Sequence, residues 1–415
     1  MAMDGDIKFR DPAVEEFNTS TLLKQAARQA AKRKYEDFLI VDVDAHHYET
    51  ESFAEIAGYI EDPVLRGIAQ AKKGTGAGRP GLVGTSPGFQ DVGGRIGRYN
   101  TRQNEKTPTG PPHRDVHLTK RWMDALGVDI VCLFPTPMLQ LGLHPQIDVE
   151  VQLARAYNRW LCERILAGEK RFKSMLYLPF NDPDASYKMV KDFGDKPGVV
   201  GFMVTAARYK PVFDNAFMKT YALLEEMGKP LSFHAAYNWS DQSMMMTNRF
   251  ISVHALGFTF FNMIHLTNWI VNGLPERFPK LKVLWIESGL AWVPFLMQRL
   301  DNEYMMRSSE CPSLKKKPSD YMRDMYFSTQ PMEMVENREA LELTFKMMKA
   351  DSQLLYSSDY PHWDMDLPST IYDLPFLSEQ SKRNILGENA RKLFNLEPVF
   401  SETKLAARTR RQAAE

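Results

Sequence analysis

Eight short apolar runs, each followed by a stretch with helical spacing, divide most of the 415-residue chain. Strands of a parallel sheet that is covered on both faces are continuously apolar, and these runs have that character. Eight of them alternating with helices predict an α/β fold, a closed (β/α)8 barrel. An open doubly wound sheet is the alternative, although no GxGxxG sequence follows the first run. The runs are FLIVDVD (38–44), VDIVCLF (128–134), SMLYLPF (174–180), VVGFMV (199–204), PLSFH (230–234), KVLWIE (282–287), MYFST (325–329) and QLLYSSD (353–359).

The barrel pattern occupies residues 37–398 and leaves a segment at each end. Within the N-terminal extension, residues 1–36, a stretch rich in Ala, Lys, Arg and Gln (19–34) predicts a surface helix. Residues 399–415 form a basic C-terminal tail. Two interpretations stay open for these segments: tethers between subunits, or a solvated helix and a frayed tail.

Residues 72–117 interrupt the alternation of strands and helices directly after the first strand. The segment is dense in Gly and Pro and has almost no apolar periodicity. Loops at the carboxyl ends of barrel strands surround the active site, so the insertion is expected to cap the pocket and to supply Arg79, Arg95 or Arg98 to an anionic substrate. A disordered excursion is the other interpretation.

The first strand carries acidic and imidazole groups on the side predicted to face the barrel interior. Asp42, Asp44 and His46 alternate in IVDVDAHH, so all three point to the same side of the strand. A buried carboxylate needs a partner, and a divalent cation can serve several such groups at once. Taken alone, the motif leaves a metal site and a structural hydrogen-bond network equally open.

Two further strand ends favour a metal site over a structural hydrogen-bond network. His234 ends the run PLSFH, and Asp359 ends the run QLLYSSD. The carboxyl ends of barrel strands meet at one rim, so Asp44, His46, His234 and Asp359 are predicted to bind one divalent ion per chain. Two carboxylates and two imidazoles suit zinc, the first expectation, and equally manganese or iron(II).

Composition favours small-molecule chemistry. Lys plus Arg and Asp plus Glu both total 52, so no basic field points to nucleic acid or to an anionic membrane. The three cysteines form no CxxC pair, which fits a reducing cytoplasm. No signal-peptide pattern stands at the N-terminus, and no run is expected to reach the roughly 20 apolar residues of a membrane span.

Several motifs together resemble the amidohydrolase-related family that includes aminocarboxymuconate-semialdehyde decarboxylase and the aromatic acid decarboxylases. The resemblance extends over about residues 37–398 and implies a distorted (β/α)8 barrel with one divalent metal. The motifs are IVDVDAHHYE, LTKRWMDALGVDIVCLFPT, AYNRWL, RFKSMLYLPFNDP, PLSFH, GLPERFPKLKVLWIESGLAWVPFLMQRLD and LLYSSDYPHWD.

Carried over residue by residue, the resemblance assigns the same four metal ligands and exposes two departures. Many relatives have histidine where this chain has Asp44. The strand that ends with a catalytic histidine in the decarboxylases here reads LWIESG, which puts Glu287 at that place. Glu287 is therefore expected either to act as a general base beside Asp359 or to pair with an arginine and hold the rim together.

Other rim residues are candidates with a structural alternative in each case. His254 is a candidate replacement for the missing catalytic histidine. The expected substrate contacts come from loops and helix starts, where a turn or plain packing is the competing explanation. They are His117, Arg121, Tyr237, Trp239 and His362.

Two reactions fit a metal, a carboxylate and an apolar rim. The first expectation is a hydrolase acting on an aromatic or ring-derived acid through a metal-activated water, because the decarboxylase histidine is absent from its strand. The alternative is a metal-dependent decarboxylase, and a non-catalytic binding barrel is a remote third. The resemblance also implies a homodimer or homotetramer.

Overall fold

The computed structural model describes residues 19–70, 107, 109–208, 210–239, 241–333 and 337–412. Eight strands pair side by side in chain order, all of them parallel. The predicted (β/α)8 barrel is confirmed. The strands are β1 (Val41–His47), β2 (Ile130–Pro135), β3 (Phe172–Tyr177), β4 (Val199–Thr205), β5 (Leu231–His234), β6 (Val283–Ile286), β7 (Tyr326–Ser328) and β8 (Leu354–Leu355).

The last strand returns to the first through backbone hydrogen bonds. The amide of Val43 donates to the carbonyl of Tyr356 at 3.0 Å, and the amide of Asp359 donates to the carbonyl of Asp44 at 2.8 Å. The amide of His46 donates to Tyr360 at 2.7 Å. These bonds fix the metal-ligand strand β1 directly against the loop that carries Asp359.

Seventeen α-helices lie in the described part of the chain, and most alternate with the strands. They are α1 (Thr19–Arg33), α2 (Phe53–Gly58), α3 (Pro63–Gln70), α4 (Arg114–Leu126), α5 (Ile147–Trp160), α6 (Pro183–Phe193), α7 (Met218–Glu226), α8 (Phe250–Val271), α9 (Leu274–Arg277), α10 (Trp292–Arg307), α11 (Pro318–Met322), α12 (Arg338–Met347), α13 (Ala350–Gln353), α14 (Ser369–Tyr372), α15 (Glu379–Arg383), α16 (Asn389–Leu393) and α17 (Glu402–Gln412). Two π-helical turns, Leu161–Leu166 and Asn384–Glu388, extend α5 and join α15 to α16.

The strands are buried on both faces, which explains their continuous apolar character. All residues of β1, β2, β4, β5, β6 and β8 are buried. Side chains that point outward pack against the helices: the ring centroid of Phe233 on β5 lies 6.0 Å from that of Trp269 on α8. Polar residues on the opposite side of these strands therefore need partners inside the barrel.

The two end segments are helical where the structure describes them, and both pack on the barrel. Helix α1 confirms the helix predicted near residues 19–34, and it buries Leu23 and Ala26. Helix α17 replaces the expected frayed tail over residues 402–412. The Lys404 ammonium is buried, 2.6 Å from an Asp129 carboxylate oxygen and 2.8 Å from the carbonyl of Phe38. A buried ion pair between Lys404 and Asp129 thus fixes α17 to the barrel.

Most of the predicted insertion lies outside the described residues. This holds for residues 71–106, and so for Arg79, Arg95 and Arg98. The end of the segment is described, and it is not loop throughout: His117 lies within α4. The helix begins at Arg114 because the His113 side chain accepts a hydrogen bond from the Asp115 amide, which caps the first turn.

Helix α8 corrects the expectation that no run has the length and composition of a membrane span. Over Phe250–Val271 it is long and apolar enough to cross a membrane by those two measures, and its sequence contains no Asp, Glu, Lys or Arg. The same pattern arises when a helix packs along a barrel, because the buried face must be apolar. Trp269 and Ile270 lie in that buried face.

Candidate metal centre

The first strand delivers two metal ligands to the carboxyl end of the barrel. Asp44 and His46 are both buried, and the His46 Nε2 atom lies 3.3 Å from an Asp44 oxygen. The His46 Nδ1 atom is 2.9 Å from the carbonyl of Pro135. A carbonyl oxygen only accepts, so Nδ1 carries the proton and Nε2 presents a lone pair to the centre.

His234 ends β5 and is oriented in the same way. Its Nδ1 atom donates to the carbonyl of Ala235 at 2.8 Å, and its Nε2 atom lies 3.1 Å from the Asp44 oxygen. Histidines that bind metals commonly donate the other ring N–H to a carbonyl or a carboxylate, which fixes the tautomer. Both imidazoles of this centre meet that requirement through backbone carbonyls.

Asp359 and Glu287 reach the centre from strained backbone positions. Asp359 follows β8 with φ of 55°, and Glu287 follows β6 with φ of 59°. These left-handed conformations are uncommon for residues other than glycine, and they cluster at functional sites. Asp359 Oδ1 lies 3.2 Å from His46 Nε2, and Glu287 Oε2 lies 3.4 Å from His234 Nδ1.

The buried atoms of the candidate ligands lack hydrogen-bond partners, a pattern that fits the binding of a divalent cation. Within the described residues, no hydrogen bond is made by Asp44 Oδ2, by His46 Nε2, by either Asp359 oxygen or by Glu287 Oε2. Ligand atoms of Asp44, His46, His234 and Glu287 lie within 4.8 Å of one another, and those of His46, Asp359 and His362 do so too. Two carboxylates and two oriented imidazoles fit one divalent ion.

The electrostatics lead to the same conclusion. Burial would raise the pKa of Asp44, but the imidazoles of His234 and His46 hold it below its usual range. Burial raises the pKa of Glu287 far above its usual range, and the charges of Asp359 and Asp44 raise it further. Three carboxyl groups thus share one buried space, and a cation would relieve their repulsion.

Asp42 supports the centre through hydrogen bonds with two backbone amides. One of its oxygens accepts hydrogen bonds from the amides of Asp44 at 3.1 Å and Ser358 at 2.9 Å. Burial raises the pKa of this carboxyl to about 8. Asp42 therefore joins β1 to the loop after β8, and this contact accounts for the first of the two acidic positions in the strand motif.

His362 belongs to the centre as closely as the expected ligands do. Its ring stacks on His46 with centroids 4.2 Å apart. Its Nδ1 atom lies 2.8 Å from Asp359 Oδ1 and 3.8 Å from Glu287 Oε1. The loop after β8 therefore supplies an imidazole beside the glutamate that ends β6.

Two residues that the sequence analysis did not single out hold His362 in place. The Thr136 hydroxyl lies 3.3 Å from His362 Nε2. Glu49 is fully buried, and its carboxylate accepts hydrogen bonds from the amides of Thr136 at 2.9 Å and Met138 at 2.6 Å. Glu49 follows the strand motif in HHYE, but nothing in that pattern shows which loop it contacts.

His254 lies farther from the ligands, in the first turns of α8. Its ring is 4.3 Å from that of Phe258, and its Nε2 atom lies 3.8 Å from an Asp364 oxygen. Burial lowers the pKa of His254 to about 4, and Asp359 partly opposes that shift. His254 is therefore close enough to Asp359 to be affected by its charge, but it belongs to neither group of candidate ligands.

The remaining candidates fall into two groups. Tyr237 and Trp239 contact each other and Phe250 in an aromatic cluster at the start of α8, near His254. Arg121 and His117 lie on α4, and the Arg121 side chain is exposed on the outer surface of that helix. The structure does not bring this arginine to the ligand cluster.

The sequence model of the amidohydrolase family matches residues 110–396, more than half of the chain. The chain belongs to the amidohydrolase family. The gamma-resorcylate decarboxylase of Rhizobium sp. (strain MTP-10005) is 22% identical over 286 residues, which cover 66% of this chain and 85% of that enzyme. The 2-amino-3-carboxymuconate-6-semialdehyde decarboxylase of Dictyostelium discoideum is 21% identical over 275 residues, covering 65% and 74%.

Solved structures of the family share the fold. A 5-carboxyvanillate decarboxylase of Novosphingobium aromaticivorans, complexed with manganese and 4-hydroxy-3-methoxy-5-nitrobenzoic acid, superposes with a TM-score of 0.61 at 20% identity, covering 87% of this chain and 97% of that one. A dihydroxybenzoic acid decarboxylase of Polaromonas sp. JS666, with manganese and 2-nitroresorcinol, gives 0.58 at 18% identity, covering 86% and 97%.

The comparisons correct the expected reaction. The relatives that match are named decarboxylases, so the expectation of a hydrolase is wrong. That expectation depended on the absence of a histidine from the end of β6. The structure places another histidine near that position: His362, in the loop after β8, has its Nδ1 atom 3.8 Å from Glu287 Oε1.

Proposed function

We propose that this protein is a metal-dependent decarboxylase that removes carbon dioxide from an aromatic acid without oxidation. The observation that carries the proposal is a buried cluster of carboxylates and oriented imidazoles in a chain whose relatives are aromatic and muconate-type decarboxylases. Glu287 groups with Asp44, His46 and His234, and Asp359 joins the cluster through His46. Asp44, His46, His234 and Asp359 would hold the ion. Manganese is our first choice because similar structures carry it, and zinc or iron(II) also fit the ligands.

Held by these residues, the ion would supply a positive charge that binds the anionic carboxylate of the substrate. The reaction then needs one proton at the ring carbon that bears the carboxylate. The bond between that carbon and the carboxylate breaks, its electron pair returns to the ring, and carbon dioxide leaves. We propose that Glu287 donates this proton to the ring, because Glu287 stands at the strand end where the resemblance places the histidine of the decarboxylases.

His362 is positioned to return a proton to Glu287. Its Nδ1 atom is 3.8 Å from Glu287 Oε1, and its Nε2 atom faces the Thr136 hydroxyl. A small adjustment of either side chain would bring the two groups to hydrogen-bond distance, and such contacts often tighten only when substrate binds. The two side chains together would do what one histidine does in the relatives.

Burial of the centre supports a reaction in which water is excluded. Asp44, His234 and Asp359 have no exposed surface, and Glu287 is almost fully buried. A dry site strengthens each electrostatic contact and protects the ring from competing protonation by solvent. A small aromatic carboxylate is the partner that this space suits.

Two further properties belong to the proposal. A homodimer or homotetramer follows from the family resemblance, and light scattering of the purified protein measures it. A cytoplasmic location follows from the cysteines, since Cys132, Cys162 and Cys311 are all free thiols. Fractionation of expressing cells tests the second property.

The decisive experiment measures metal content and carbon dioxide release on the same preparation. We expect close to one divalent ion per chain, and release of carbon dioxide from at least one member of a panel of hydroxybenzoates and carboxyvanillate. Asp359→Asn should lose both the ion and the release. Asp184→Asn, a change at an exposed carboxylate on α6, should lose neither. Full metal content in Asp359→Asn, or a loaded protein that releases nothing from the panel, would refute the proposal.

A further inference from the structure

Three polar residues next to the metal ligands have no role in the proposed reaction: Gln330, Asp364 and His254. We call them the distal cluster. Gln330 follows β7, Asp364 lies in the loop after β8, and His254 lies in α8. The Gln330 Nε2 atom donates to the backbone carbonyl of Asp364 at 3.3 Å, and His254 Nε2 lies 3.8 Å from Asp364 Oδ2. Three separate elements therefore converge on one point.

The distal cluster contains buried acceptors with no donor. Gln330 has no exposed surface, and the bond from its Nε2 atom to a carbonyl fixes which end of the amide is the oxygen. In the described residues, neither Gln330 Oε1 nor Asp364 Oδ1 has a hydrogen-bond partner. A buried acceptor left unpaired costs about 1–3 kcal/mol. The arrangement therefore calls for a donor from a bound molecule.

The cluster shares its surroundings with the metal ligands. The charge of Asp359 acts on both His254 and Asp364. Burial raises the pKa of Asp364, and the charge of Asp359 raises it further.

Aromatic rings border the same space. The ring of His254 lies 4.3 Å from Phe258, 5.4 Å from Phe250 and 5.4 Å from Trp363. Flat apolar walls suit an aromatic ligand, and a few polar groups at one end fix its orientation. The distal cluster supplies the polar groups beside these rings.

We propose that Gln330 and Asp364 form a specificity subsite for a hydroxyl or amino substituent on the ring of an aromatic acid whose carboxylate faces the metal ligands. The inference rests on the proposed function for the position of the carboxylate. A hydroxyl or amino group donates to Gln330 Oε1 or to Asp364 Oδ1, the two buried acceptors without a donor in the described residues. A methoxy group cannot donate, and a second carboxylate would meet acceptor oxygens.

The test is a binding measurement, so it does not depend on turnover. The probes are the dihydroxybenzoate isomers, each paired with the methyl ether of its second hydroxyl, titrated by calorimetry into manganese-loaded protein. For one isomer pair we expect the hydroxyl form to bind about tenfold more tightly than the ether, the effect of one unpaired buried acceptor. Gln330→Met, which keeps the volume but removes the acceptor, should reduce this ratio to about two or less.

Gln353→Met is the matched control. Gln353 is also buried, and its amide also donates to a backbone carbonyl, that of Met325, but it lies at the opposite end of the barrel wall. In Gln353→Met, the ratio of the affinities for the hydroxyl form and the ether should equal that of the unaltered protein. If Gln330→Met does not fold, Asp364→Leu carries the same expectation. Equal binding of every hydroxyl and ether pair, or a ratio that survives both changes, would overturn the inference. Selective binding without carbon dioxide release would instead count against the proposed function alone.

Discussion

Replacing Lys404 by methionine is expected to destabilise the whole protein, although Lys404 lies eleven residues from the C-terminus. Its ammonium is 4% exposed and sits 2.6 Å from a carboxylate oxygen of Asp129, which has no exposed surface. The remaining partners of Asp129 are the amides of Ile40 at 3.0 Å and Ser401 at 3.2 Å. Removing the lysine leaves a buried carboxylate without a counterion, and such a change costs about 3–5 kcal/mol.

Urea unfolding followed by tryptophan fluorescence and far-ultraviolet circular dichroism measures the loss. The double variant Lys404→Met with Asp129→Asn should recover more than half of it, because it removes the stranded charge together with its partner. A parallel change at an exposed pair, Lys219→Met beside Asp184, should cost less than about 1 kcal/mol. A loss of that small size in Lys404→Met would refute the reasoning, since the ion pair would then behave as a surface pair.

Three further outcomes follow from the centre and its support. Glu287→Gln should keep its metal in elemental analysis but lower carbon dioxide release about 100-fold or more, the usual effect of removing a general acid, and unchanged release would exclude Glu287 as the proton donor. Glu49→Gln should retain metal yet lower the free energy of unfolding by about 1–3 kcal/mol, because the amide offers one acceptor where Thr136 and Met138 require two; equal urea midpoints would contradict this. Burial lowers the pKa of His265 to about 3, so as the pH falls from about 6.5 the unfolded chain binds a proton that the folded chain does not. His265→Gln should therefore flatten the fall in unfolding free energy between about pH 6.5 and 3 by up to about 1.4 kcal/mol per pH unit, and an unchanged slope would show that His265 is not buried in its neutral form.

The convergence of the candidate ligands could be predicted because it depends on strand ends. Alternation along β1 and the termination of apolar runs at His234 and Asp359 are visible in the sequence, and the common direction of parallel strands brings such ends to one rim. The same logic reached Glu287. It did not depend on loop conformation or on the packing of helices.

Contacts between loops were not predictable. His362 approaches Glu287 because the chain after β8 turns back across the rim, and Gln330 meets Asp364 across two different loops. Neither contact has a periodicity in the sequence. The packing of α17 on the barrel could not be predicted for a similar reason. In the sequence Lys404 is one of several basic residues in a polar segment, and only the structure shows its ion pair with Asp129. These features depend on long-range packing that local patterns do not encode.

The left-handed backbone at Glu287 and Asp359 has a consequence for attempts to make this protein more robust. At these two positions glycine would relieve the conformational strain, and at Asp359 asparagine would fit the same φ with less penalty and less negative charge. A selection for thermal tolerance alone would therefore favour replacing the very side chains that the centre requires. Libraries built to stabilise the barrel should hold both codons fixed, and any stabilised variant that changes either one should be screened for metal before it is kept.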